Sequence, residues 1–424
     1  MNAAGRQLAA LVERALHEQL DYLEAASPFY KARIRGRRNL AAIPFTTKQE
    51  LRESQQRRPP FGEHLCAPRE DLVRLHVTSG TTGEPVAIGL TQNDHEANSA
   101  VGGESFRIAG LRPDDTVAHC LNYALYAGGI ADHMAIEASG ATVVPVGVGQ
   151  SRRLLELIPR LGITAIFGTL SFPAYLAMRA REAGLEPAAL GLRHIVTAGE
   201  PGAGLAAVRA DIEAAWGVSV TDTFGMSDVW STMAGECGHG EGLHLTTEGH
   251  AVLEVIDPET TELLPLEDGV AGELVWTHLN RRASPLLRYR SSDLATVYTA
   301  PCACGRTSPR IRIGGRRDDM LRIQAVNVYP QAIGEVLDRL GASGGYAVVA
   351  DGDPIAAPLH IYVESPQDAD NLRAELREAL RTDVALVALD HGDLPVAEHK
   401  TPRVFRTARG DTLPDAIRRH REGP

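Results

Sequence analysis

The sequence predicts an α/β fold: a large N-terminal domain on parallel strands with a β-rich subdomain, then a small, mobile α+β C-terminal domain. Three observations predict it. Between residues 75 and about 225, short β-rich runs alternate with stretches of helical period. The runs include 116–118, 141–146, 163–167 and 194–197; the helical stretches include 152–160 and 203–216. Such alternation implies a largely parallel sheet with helices on its faces and ligands at the carboxyl ends of its strands. From about 236 to 313 strands shorten and turns multiply, at Asp257-Pro258, Asp268-Gly269 and Cys304-Gly305. Gly314-Gly315, followed by Arg316-Arg317-Asp318-Asp319, marks a boundary. It divides the chain into an N-terminal domain, 1–315, and a C-terminal domain, 316–424. Residues 1–60 read as helices broken at Pro28 and Pro44.

The bulk composition narrows the class. A chain of 424 residues exceeds one ordinary hydrophobic core. With 44% hydrophobic and 23% charged residues it is an ordinary globular sequence. The formal charge of −11 opposes binding to nucleic acid or an anionic membrane. No apolar run is long enough to span a bilayer, and the amphipathic N-terminus lacks a signal-peptide pattern. Five scattered cysteines fit a reduced, cytoplasmic setting better than a disulfide scaffold.

The stretch Thr78-Ser79-Gly80-Thr81-Thr82-Gly83-Glu84-Pro85 lies between two short apolar runs and reads as a strand–loop–strand. Gly80 and Gly83 can adopt positive φ, so successive N–H groups can turn toward one anion. Ser79, Thr81 and Thr82 add hydroxyl donors, which suits a polyphosphate. The spacing is not that of a Walker A loop, and a polar hairpin explains the same residues. Phe224-Gly225-Met226-Ser227-Asp228 follows a strand-like 218–221 and so lies at a strand's carboxyl end. Its aromatic can stack on a base, and Asp228 is a hard oxygen ligand suited to Mg²⁺; a helix-capping Ser-Asp pair is the alternative. Asp293 closes an arginine-rich strand, where a carboxylate can accept ribose hydroxyls or pair with Arg288 or Arg290. Cys237, with His239 and His244 close behind, and Cys302-Ala303-Cys304-Gly305 supply the donors of a closed Cys₃His zinc site. Free buried cysteines are the plainer reading.

Taken in order, these stretches resemble the adenylate-forming superfamily, and within it the phenylacetate–CoA ligase family. The match continues through Tyr123–Gly129, Tyr289–Asp293, Gly315–Pro330 and Lys400-Thr401-Pro402-Arg403-Val404. The resemblance implies that ATP activates an aromatic or arylacetic carboxylic acid as its acyl-adenylate before transfer to CoA. It places Ser79, Gly80, Thr81, Thr82, Gly83, Gly199, Glu200, Phe224, Gly225, Met226, Ser227, Asp293 and Arg316 at ATP or AMP, and Asp228 at Mg²⁺. By the same resemblance Tyr123, Tyr126, Ala127, Gly128 and Gly129 line the acid site; an ordinary glycine-rich helix start explains the same residues equally well. Lys400 is the catalytic lysine that stabilises the adenylation transition state, and Asp318 is the hinge of the mobile C-terminal domain. Relatives with a similar Cys…Gly-Leu-His…Cys-x-Cys-Gly arrangement point to Cys237, His244, Cys302 and Cys304 as structural Zn²⁺ ligands. A homodimer is implied by resemblance alone.

The chain departs from the family pattern at three positions. Asp228 replaces the usual glutamate, Glu84 stands where the phosphate loop commonly has lysine, and Ala325 replaces a glycine beside the pantetheine path. Ala325 motivates a second reading, in which the acyl group passes to a carrier-protein thiol or an amine. A third is a non-catalytic ligand-binding relative, which the retained Lys400, Asp293 and Arg316 oppose.

Overall fold

The computed structural model describes residues 3–78, 85–125, 127–200, 206–324, 326–340, 345–352, 355, 357–364, 368–390, 393–394 and 403–407. The expectations for Ser79, Gly80, Thr81, Thr82, Gly83, Glu84, Tyr126, Ala325 and Lys400 lie outside the described residues. The chain forms two compact units, Met1–Gly147 with Thr221–Arg312, and Val148–Val220 with Ile313–Pro424.

The first unit opens with α1 (Ala3–Ala26) and α2 (Pro28–Ile34). Ser27 caps α2 at Tyr30 N, and Pro28 takes the first helical position, where no N–H is needed. Helix α3 (Lys48–Arg57) starts on a capping box of Thr47 and Glu50. Strands β1 (Leu72–Val77) and β2 (Ala87–Thr91) pair antiparallel, flanking the Gly/Thr-rich loop as expected. Helix α4 (Gln92–Ile108) starts on a second capping box, Thr91 with Asp94. The Asp94 carboxylate also accepts from the N–H groups of Arg282 (2.6 Å) and Ala283 (2.8 Å). One buried carboxylate thus caps the start of a helix and pins a distant loop. Strand β3 (Thr116–His119), helix α5 (Ala127–Ser139) and strand β4 (Thr142–Pro145) make a βαβ step with parallel strands.

The chain then contributes α6 (Ser151–Leu161), β5 (Ala165–Gly168), α7 (Ser171–Glu182), β6 (His194–Ala198) and α8 (Ala206–Trp216) to the second unit. Strands β5 and β6 are parallel, in keeping with the predicted alternation. Strand β7 (Ser219–Met226) leads back into the first unit. There follow β8 (Trp230–Glu236), β9 (Leu243–Leu245), β10 (Ala251–Ile256), β11 (Leu263–Leu264), β12 (Val270–His278), β13 (Tyr289–Tyr298) and β14 (Arg310–Arg316). Their order is β11-β10-β12-β13-β14-β9-β8-β7. Strand β13 alternates buried and half-buried residues along its length, the period of a strand with one face in the core.

The second unit ends with β15 (Leu321–Ile323), β16 (Val326–Val328), α9 (Gln331–Arg339), β17 (Tyr346–Asp351), β18 (Leu359–Glu364), α10 (Ala369–Leu380), β19 (Val384–Leu389) and β20 (Val404–Thr407). The last four strands form a sheet of order β19-β18-β17-β20. Its core joins Ile333, Val336 and Leu376 from the helices to Val348 and Ile361 from the sheet.

Candidate active site

Asp228 sits in the turn between β7 and β8. Strand β7 runs further than the sequence suggested, through Phe224 and Gly225 to Met226, because β8 folds back on it. Gly225 leaves no room for a side chain between the two strands: a Cβ there would lie 1.9 Å from the Ser231 carbonyl oxygen. No helix begins at Ser227-Asp228, so helix capping does not explain the pair; a turn closes instead through Val229 N–H to Met226 O at 3.1 Å. The Asp228 carboxylate is 7% exposed, and its Oδ2 meets Lys48 Nζ at 3.2 Å. Its Oδ1 is buried without a hydrogen-bond partner among the described residues. A buried, half-satisfied carboxylate oxygen is what a divalent cation needs.

Arg281 lies behind this turn, fully buried over the face of Trp230, with Nη1 3.5 Å from the Asp228 carbonyl. Burial pushes it down to about 10, against the fields of Asp94 and Asp228.

Asp293 is also buried, but it does not close a strand: β13 continues to Tyr298. It lies within an irregularity in the β12–β13 register, beside Ser292, whose φ is +66°. The two arginines offered as internal partners for Asp293 each bind another carboxylate. Arg288 binds Glu254 at 2.8 Å and Arg290 binds Glu273 at 2.5 Å.

The Tyr123–Gly129 stretch joins β3 to α5, with Ala127, Gly128 and Gly129 in the first helical turn. Gly129 admits no side chain: a Cβ would fall 2.3 Å from Asn122 O and 2.6 Å from Tyr123 Cα. The Tyr123 hydroxyl meets His133 Nδ1 at 2.9 Å. Leu125 holds φ = +62°, with its carbonyl accepting from Val77 N–H at 3.2 Å, so β1 fixes this segment directly.

In the second unit Gly199 follows β6 with φ = +77°. The Glu200 carboxylate accepts from Ser171 N (2.7 Å) and Ser171 Oγ (3.0 Å), which fixes the loop against the start of α7. Arg316, at the end of β14, makes a two-pronged pair with Asp318, both contacts at 2.8 Å.

The cysteine set converges. Donor atoms of Cys237, His244, Cys302 and Cys304 all lie within 4.8 Å of one another. Cys237 Sγ and Cys302 Sγ are 3.6 Å apart, and Cys304 Sγ and His244 Nε2 are 3.4 Å apart. Zinc bonds of about 2.3 Å to sulfur and 2.0 Å to nitrogen at tetrahedral angles require about 3.8 and 3.5 Å. Strand pairing explains why His244, not His239, is chosen: β9 places it opposite Arg310 of β14. Its Nδ1 faces Ser308 Oγ at 3.1 Å, leaving Nε2 for the ion. Burial, with Arg306 and Arg310, lowers its pKa and favours the neutral, ligating ring.

Lys48, Arg281 and His133 contact the candidate residues Asp228 and Tyr123, and sequence reasoning missed all of them. The Lys48–Asp228 pair spans 180 positions, and only the Thr47/Glu50 capping pattern marks where Lys48 stands.

The chain is a member of the AMP-binding enzyme family, whose model matches residues 11–279. More narrowly, it belongs to the phenylacetate–coenzyme A ligases. It is 38% identical to the phenylacetate–coenzyme A ligase of Thermus thermophilus over 344 residues, 78% of this chain and 75% of that one. It is 33% identical to the Escherichia coli phenylacetate–coenzyme A ligase over 385 residues, 87% and 85% of the two chains. A crystal structure of 2-hydroxyisobutyryl-CoA ligase with an acyl-AMP, in the postadenylation state, superposes with a TM-score of 0.84 at 27% identity. That match covers 96% of this chain and 90% of the other.

Proposed function

We propose that the protein is an AMP-forming acid–CoA ligase acting on an aromatic or arylacetic acid. The carrying observation is the match to phenylacetate–coenzyme A ligases over 78% of the chain and more. In the first step a carboxylate oxygen attacks the α-phosphorus of ATP, the bond to the β-phosphate oxygen breaks, and pyrophosphate leaves. In the second, the CoA sulfur attacks the acyl carbonyl, AMP leaves with its oxygen, and the thiol proton is lost to solvent.

Asp228 would hold Mg²⁺ through its buried Oδ1, with Lys48 holding the other oxygen. The ion supplies charge neutralisation on the phosphates. Asp293 and Arg316 are assigned to the ribose side of the nucleotide, and Gly199-Glu200 and Phe224–Ser227 to the base and phosphate side. The loop 79–83 takes the polyphosphate. Tyr123, Tyr126 and Ala127–Gly129 line the acid. Lys400 aligns the acid with the α-phosphate and stabilises its developing charge.

The division into domains 1–315 and 316–424 belongs to the same reading, with Asp318 as the hinge that turns the small domain between half-reactions. Zinc is the ion the Cys₃His donors fit, and four protein ligands close the site, so its role is structural. A reducing cytoplasm keeps those thiols available.

Acid-dependent ATP–pyrophosphate exchange tests the assignment. The wild type is expected to exchange; Lys400→Ala is expected to bind ATP normally while exchange falls by orders of magnitude. Exchange by Lys400→Ala at the wild-type rate would remove the lysine from the mechanism.

A further inference from the structure

We propose that His133 and Glu137 on α5 are positioning residues for the carboxylic acid, acting through Tyr123. This rests on the acid–CoA ligase reading and on Tyr123 as a wall of the acid site. The Tyr123 hydroxyl and His133 Nδ1 are 2.9 Å apart, and His133 Nε2 lies 3.2 Å from Glu137 Oε1. His133 and Glu137 are one helical turn apart, so their side chains meet on one face of α5. An ionised carboxylate only accepts. The ring hydrogen facing it therefore sits on Nε2, which leaves Nδ1 to accept. The Tyr123 hydroxyl donates to that nitrogen, which fixes its direction and leaves its oxygen lone pairs facing elsewhere. Burial, with Cys120, Glu137 and Asp132 adding to it, raises the Tyr123 pKa and keeps the phenol protonated for this bond.

The rest of the tyrosine is held as firmly. Its Cα packs against Gly129, where a Cβ would come within 2.6 Å. The buried His119 imidazole lies against the ring at 4.8 Å between centroids, tilted by 47°. Gly147 approaches closely enough that a Cβ there would be 3.7 Å from Tyr123 Cδ2. The hydroxyl is the remaining free end, and the Glu137–His133 pair fixes it. Neither residue needs to touch the acid: a wall held rigidly is what sets the angle of a carboxylate for in-line attack.

The test is steady-state adenylation by wild type, Tyr123→Phe, His133→Leu, His133→Asn, Glu137→Gln and the Tyr123→Phe/His133→Leu double variant, varying acid and ATP separately. His133→Leu is expected to raise the KM for the acid about 5- to 10-fold, with the KM for ATP changing less than about 2-fold. Asparagine places Oδ1 near the position of Nδ1, so His133→Asn should recover most of the loss. Glu137→Gln should shift the acid KM only about 2-fold, because the Glu137 side chain is 55% exposed. In the Tyr123→Phe background His133→Leu should add nothing. An undiminished effect in that background, or an equal rise in the KM for ATP, overturns the proposal. Melting temperatures of the same four-protein cycle read the contact without turnover: non-additive shifts are expected, and additive ones overturn it. A wild type that activates no acid fails before any variant is compared, and removes the ligase reading and this role together.

Discussion

Replacing Lys48 with Met leaves Asp228, at 7% exposure, with no partner for either carboxylate oxygen among the described residues. At 3.2 Å and an effective dielectric near 20, the pair attracts by about 5 kcal/mol. Lys48 is 25% exposed, so solvent screening and the desolvation already spent reduce the net loss to about 1–3 kcal/mol. At roughly 2 °C per kcal/mol for a large chain, the melting temperature should fall by about 2–6 °C. The informative arm is the same scan with Mg-ATP. If Asp228 holds the metal, the bound cation replaces the missing ammonium, and the gap between variant and wild type should narrow by half or more. Asp228→Asn/Lys48→Met should melt no lower than Lys48→Met, since no charge is left stranded. Scanning calorimetry of the three proteins with and without Mg-ATP provides the data. A gap of unchanged size with Mg-ATP, or no gap without it, would refute the reasoning.

Three other outcomes are expected. Burial raises the Asp132 carboxyl to about 7, against hydrogen bonds from Thr232 and Ser231. The folded state then keeps a proton that the unfolded chain releases near pH 4, so this group's stabilisation is full below that pH and is lost as pH rises toward 7. Asp132→Asn should therefore gain on wild type by a few kcal/mol between pH 4 and pH 8, and a constant difference in melting temperature across that range contradicts this. Gly225→Ala puts a methyl 1.9 Å from the Ser231 carbonyl; a loss of about 3 kcal/mol or more in denaturant titration is expected, and a wild-type midpoint would show that the hairpin yields. Purified protein should carry one zinc per chain by elemental analysis, reduced in Cys304→Ser, with a lower melting temperature after chelation. A metal-free preparation as stable as the native one would argue against a structural ion.

Features written in local pattern were legible in the sequence. The alternation that predicted a parallel sheet appears as the β3–α5–β4 step and the β5–β6 pair. The spacing that suggested a Cys₃His cluster is matched by four converging donors. What escaped was contact between distant segments. Nothing near Lys48 announces a carboxylate 180 positions away. Tyr123 and His133 become partners only because α5 begins at Ala127 and Gly129 lets the helix close against the preceding loop. Asp293 looked like a strand end because its arginines precede it. The positive φ of Ser292 lets the chain bend and continue, a backbone event with no glycine to signal it.

The most direct measurement of the central claim is product analysis of one reaction: purified protein, ATP, Mg²⁺, CoA and a panel of aryl and arylacetic acids. AMP, pyrophosphate and acyl-CoA would be quantified together. The ligase account predicts equal amounts of all three with at least one acid, and acyl-adenylate with pyrophosphate but no thioester when CoA is omitted. AMP formation that yields no thioester in the presence of CoA would contradict it.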